Sequence, residues 1–130
     1  MALKEHEYKL DRKTIIVSET DAKGRIVYAN EDFCKISKYS KDELIGNPHN
    51  MVRHPDMPKA AFEALWNTVK SGKTWKGVVK NRTKDGGYYW VFATVYPSQT
   101  PDGSVKYFSV RVKPTTDEIE NAEKLYATLH

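Results

Sequence analysis

The chain has 130 residues, 39% hydrophobic and 12% aromatic, with a formal net charge of +4 and a single cysteine. That length supports one domain with a real core, and the apolar content excludes global disorder. The spread of basic residues along the chain argues against a nucleic-acid surface, and the lone cysteine points to a reducing, cytoplasmic setting. No apolar run reaches the roughly 20 residues of a membrane span, and the polar start MALKEHEYK does not read as a signal peptide. Direct membrane insertion is therefore not expected, although a partner or a further region could tether the chain to a membrane.

TIIVSETDAKGRIVYAN reads as two short strands, Thr14 to Ser18 and Arg25 to Ala29, around a glycine-containing turn. Asn30 suits the N-cap of a helix through EDFCKIS, with Phe33 and Ile36 on its inward face. Ser40 and Glu43 fit a capping box for a second short helix that Gly46 closes. NPHNMVRHPDMP follows, with two histidines, an arginine, an aspartate and three prolines in a stiff stretch. Pro58 then starts a third helix, in which Ala61, Phe62, Leu65, Trp66 and Val69 share a face and Gly72 marks the end.

The period changes after Gly72. TWKGVVKNRT, YYWVFATVYPS and SVKYFSVRVK are strand-like, separated by turns at Asp85-Gly86 and Asp102-Gly103, and predict a meander. Two strands, three helices and three strands together favour an α+β domain, one antiparallel sheet with helices grouped on a face. In the tail, Thr115 and Glu118 fit a capping box after Pro114. Ile119, Ala122, Tyr126 and Leu129 form an apolar seam that serves either a short coiled coil or packing back onto the sheet.

His49, His54, Asp56 and Cys34 are metal-ligand types, but their spacing matches no usual zinc signature. Cys34 in an amphipathic helix reads as a small buried hydrophobe, and no Gly-x-Ser-x-Gly elbow is present, so an enzyme is not expected. A cofactor pocket accounts for more. A helix bearing Phe62 and Trp66 and strands bearing Trp75, Asn81 and Trp90 would face each other around a flat ring. Asn81 can donate and accept at a polar ring edge, Arg53 can bind a phosphate bidentately, and His54 can add a donor. A tryptophan on an apolar helix face is equally at home in a core, so spacing by itself supports only a sheet with a ligand-sized aromatic face.

YANEDFCKISKYSKDELIGNPH and WKGVVKNRTKDGGYYWV resemble the PAS family of sensory domains, and GNPHNMVRHPDMPKAAFEALW is similar to the PAS domain of bacterial aerotaxis receptors. The resemblance implies a five-stranded antiparallel sheet with short helices over residues 14–113, an N-terminal cap at 1–13 and a connector helix at 114–130. It also implies non-covalently held FAD, with Asn30, Arg53, His54, Asp56, Trp66, Trp75, Asn81, Tyr89 and Trp90 as site residues. Energy-taxis signalling through a chemotaxis transducer or a HAMP-type region, in cis or in trans, would follow, with a homodimer compatible. The chain would then be an excised sensor domain or a stand-alone sensor. A haem-binding gas sensor using His49 or His54 and a cofactor-free dimerisation module are the rival readings. Cys34 lies outside the Asn-Cys-Arg phrase of photoreceptor relatives, so adduct photochemistry is not expected.

Overall fold

A computed structural model describes residues 6–129. The strands are β1 (Ile16–Thr20), β2 (Ile26–Ala29), β3 (Trp75–Arg82), β4 (Tyr88–Gln99) and β5 (Val105–Val112). The helices are α1 (Glu31–Ser37), α2 (Lys41–Leu44), α3 (Lys59–Lys70) and α4 (Thr116–Tyr126), with a 3-10 turn at His49–Val52 before α3. The five strands form one antiparallel sheet in the order β2-β1-β5-β4-β3. The expected α+β class and meander are found. β1 starts two residues later than its sequence reading, because Ile16 to Thr20 are the residues that pair with β5.

The caps form as their side chains dictate. Asn30 Oδ1 accepts from the Phe33 amide at 3.1 Å, and Ser40 with Glu43 closes a reciprocal capping box. Thr115 and Glu118 do the same for α4. Gly24, at φ +86°, makes the β1–β2 turn in a conformation that side-chain-bearing residues rarely adopt.

Alternation along the strands divides the sheet into two faces. Ile16 and Ser18 of β1, Tyr89, Val91 and Ala93 of β4, and Tyr107 of β5 are buried on the inner face. There they meet Phe33, Leu44, Val52 and Val69 from the helical layer, and most of the core sits here. Fully burying each such aliphatic or phenyl group contributes about 1.5–3 kcal/mol. On the outer face, Val78 and Trp90 pack against Ala122 of α4, with Phe92, Ile119 and Tyr126 around them. The Tyr126 hydroxyl donates to the Val78 carbonyl at 2.5 Å, satisfying an acceptor of the sheet-edge strand β3. Of the two sequence expectations for the tail, packing back onto the sheet is the one observed.

Candidate functional site

Between the inner face and the α3 layer lies a cavity of about 750 Å³. Its floor comes from β3, β4 and β5, through Asn81, Val79, Ala93, Val95, Ser109 and Arg111. Its wall comes from α3, through Phe62, Leu65 and Trp66, and from the 3-10 turn, through His49. This explains why the apolar face of α3 is only half-buried apart from Val69: that face looks onto open space rather than packed side chains. Among the described residues, four exposed or part-exposed cations, Lys23, Arg53, Lys59 and Lys70, line the cavity against a single acid, Glu63.

Of the ten residues that the sequence nominates, the structure brings four to the cavity: Arg53, Phe62, Trp66 and Asn81. Arg53 and Asn81 pair as an antiparallel bridge, so the proline-rich stretch runs along β3 at this point. The Arg53 guanidinium lies 4.7 Å above the Phe62 ring, a cation–π contact that aligns it with the cavity wall. Trp66 meets Tyr107 edge-on, with ring centroids 5.3 Å apart. Asn81 is 4% exposed, a buried amide on the sheet side of the cavity.

The other six do not line it. Asn30 spends its side chain on backbone, accepting from Val17 and Phe33 and donating to the Ile15 carbonyl. His54 is 1% exposed; its Nδ1 accepts from the Asp56 amide at 3.0 Å and its ring packs edge-on against Tyr88. Asp56 pairs with Lys80 at 3.1 Å. Trp75 folds its ring over Gly77, where an added Cβ would come within 2.5 Å of it. Tyr89 lies in the core on the inner face, and burial pushes its hydroxyl up to about 12 against the opposing influence of Arg111 and Asn81. Trp90 faces α4 on the outer side of the sheet. The expectation that Trp90 faces Trp66 is thus corrected: Tyr89 and Trp90 are adjacent in a strand and must point to opposite faces.

Sequence reasoning left out a buried polar group beside the cavity. Ser18 Oγ accepts from Arg111 Nη2 at 2.7 Å and lies 3.0 Å from His49 Nε2. Both the Arg111 guanidinium (4.4 Å) and the His49 ring (5.7 Å) pack on Phe33. His49 keeps some surface toward the cavity, yet dense packing and then the Arg111 charge lower its pKa to about 3. With Arg111 donating to Ser18, the hydroxyl is free to donate to Nε2 of the neutral ring. Arg111 is 2% exposed, and its Nε and Nη1 find no hydrogen-bond partner among the described residues. The signal for it was present: alternation in YFSVRV puts Arg111 on the same face as Tyr107 and Ser109. Among the described residues, no three His, Cys, Asp or Glu side chains cluster to hold a metal ion.

An antiparallel sheet with a ligand-sized cavity under a helical layer makes this an α+β domain with room for a small molecule. The family model described as "PAS fold" matches residues 26–112, and the chain belongs to that family. It is 47% identical over 117 residues to the aerotaxis receptor of Escherichia coli K12, covering 90% of this chain and 23% of the receptor. It is 27% identical to the nitrogen fixation regulatory protein of Klebsiella oxytoca, covering 76% of this chain and 20% of that protein. The chain thus spans about a quarter or less of these curated relatives. Among solved structures, the dark state of the blue-light photoreceptor Aureochrome1 LOV matches with a TM-score of 0.71 at 24% identity, covering 85% of this chain and 86% of that one, a likeness of fold. Among the described residues no helix is long and apolar enough to cross a membrane.

Proposed function

We propose that this chain is a redox- or energy-sensing domain that holds FAD non-covalently and reports the ring's oxidation state to a chemotaxis signalling partner. The observation that carries this reading is the cavity itself, with aromatic walls, a buried amide on the sheet and cations at its margin. Its volume of about 750 Å³ lies within the usual range for cofactor sites. The similarity to the aerotaxis receptor supports the same reading.

The residues present fit a flavin dinucleotide. Phe62, Trp66 and Tyr107 offer apolar faces to a flat ring, and Asn81 offers one donor and one acceptor to its polar edge. Arg53, Lys23, Lys59 and Lys70 favour negative charge, which suits the two phosphates of FAD better than a neutral ligand. His54 and Asp56 act one step back, by fixing the backbone that carries Arg53. A bound flavin supplies reversible two-electron chemistry, while the protein orients it and sets its environment.

β3 offers a route from site to signal. It carries Asn81 on the cavity side and Val78 and Lys80 on the side where α4 packs. Asn81 would hold the ring's polar edge, and a change in that edge's demand for donors would oblige Asn81 to re-pair or lose a hydrogen bond. A buried unpaired polar group costs about 1–3 kcal/mol, enough to shift a two-state element several-fold. The recipient would be a transducer or HAMP-type region, in cis or in trans. The test is the absorbance spectrum of freshly purified protein, followed by chromatography of the ligand released on heating. Oxidised-flavin peaks and released FAD support the proposal. A colourless protein that fails to take up added FAD leaves a cofactor-free interaction module, and a Soret band points to haem instead.

A further inference from the structure

Among the described residues, Arg111 is a buried cation without a counter-charge. It stands on β5 at the cavity floor, opposite Ala93 of β4 and Ile16 of β1 in the register. One of its nitrogens is committed to Ser18; Nε and Nη1 have no partner among the described residues. The groups that face it supply no negative charge: His49 from the 3-10 turn, Tyr89 from β4, Phe33 from α1 and Ser18 from β1. Burial brings its pKa down to about 10, which still leaves it charged at neutral pH. A buried guanidinium with unmatched donors is costly, and it persists where something else completes it.

Resting on the flavin reading above, we propose that Arg111 is the charge-compensating residue for the reduced ring, stabilising the reduced state over the oxidised one. A bound oxidised ring would accept two electrons and one proton, delivered as hydride by a reduced nicotinamide that leaves in its oxidised form, and would so gain one negative charge. The guanidinium at the cavity floor, with Nε and Nη1 unpartnered among the described residues, would offset that charge. A second proton is then not needed to neutralise the ring. Neither His49, held near 3, nor Tyr89, held near 12, titrates around neutral pH to supply one. Arg111 would therefore set the potential at which the sensor switches, whereas Arg53 would act on the phosphates at the margin.

The test is a spectroscopic redox titration of the flavin-loaded full chain, in the parent, Arg111→Gln and Arg111→Lys. Arg111→Gln is expected to keep FAD but lose at least tenfold of its preference for the reduced ring, a midpoint drop of about 30 mV or more. Arg111→Lys, which keeps the charge, is expected to recover most of that drop. Independently of any variant, the parent's midpoint should fall by about 30 mV per pH unit, one proton per two electrons, from about pH 6 to about pH 8. A loaded Arg111→Gln protein with an unchanged midpoint would overturn the proposal and leave the flavin reading standing. So would a parent slope of two protons per two electrons near pH 6, which decides the matter if Arg111→Gln fails to fold. A parent that neither contains nor takes up flavin takes both readings down.

Discussion

Asp56 and Lys80 form an ion pair, Oδ2 to Nζ at 3.1 Å, that ties the segment beside the cavity to the opposite face of the sheet. Asp56 follows Arg53, which lines the cavity, while Lys80 lies over the Tyr88 and Trp90 rings on the outer side. Asp56 is 67% exposed, so the pair adds no more than about 1 kcal/mol to global stability. Its effect on the Arg53 backbone is more direct. Asp56→Ala should leave the denaturation midpoint nearly unchanged while speeding loss of flavin on dilution. Equal retention by variant and parent would remove the tether from the account of the site.

His49 makes stability depend on acidity. Its folded pKa, about 3, lies below its ordinary value of 6.5, so the unfolded chain takes up a proton first as pH falls. The His49 contribution is fully present above about pH 6.5 and is lost progressively toward about pH 3. The loss is at most about 1.4 kcal/mol per pH unit, or about 2 kcal/mol at pH 5. Urea unfolding at neutral pH and at about pH 5 should show this slope in the parent and a shallower one in His49→Asn.

Gly77 has no room for a methyl group. A Cβ there would stand 2.5 Å from Trp75 Cη2, and the indole would have to swing away. Gly77→Ala should destabilise by about 1–3 kcal/mol and change the tryptophan emission spectrum. An unaltered spectrum at parental stability would mean that the ring moves freely.

Tyr126→Phe removes the hydroxyl that reaches the Val78 carbonyl. Global stability should fall by about 1 kcal/mol or less, because water can replace the lost donor at the sheet edge. Amide exchange within α4 should rise more than exchange in β4 and β5. Uniform exchange across all three would show that the bond does not latch the helix.

Trp66 and Trp90, on opposite sides of the sheet, should behave differently. Trp66→Ala removes a cavity wall and should weaken flavin binding by about tenfold. Trp90→Phe trims an outer-face contact with α4 and should lower stability while leaving flavin affinity near the parent's. Binding followed by fluorescence quenching, beside thermal unfolding, separates the two effects.

The sequence by itself determined what depends on near neighbours along the chain. Asn30, Ser40–Glu43 and Thr115–Glu118 cap their helices through residues three apart, and strand alternation defined β3, β4 and β5. It also held the means to separate Tyr89 from Trp90 and to place Arg111 with Tyr107, since period-two alternation applies to each. Tertiary structure decided which face became the inside. That choice followed from β1 entering the sheet between β2 and β5, a pairing of residues about ninety positions apart that no local pattern encodes. It decided that Asn30 serves backbone rather than the cavity, because the β1 backbone supplies it with partners. It likewise made Arg111 a buried cation: a guanidinium in a strand is ordinarily solvated, and only the closing of α1 and the His49 turn over β5 removes the water around it.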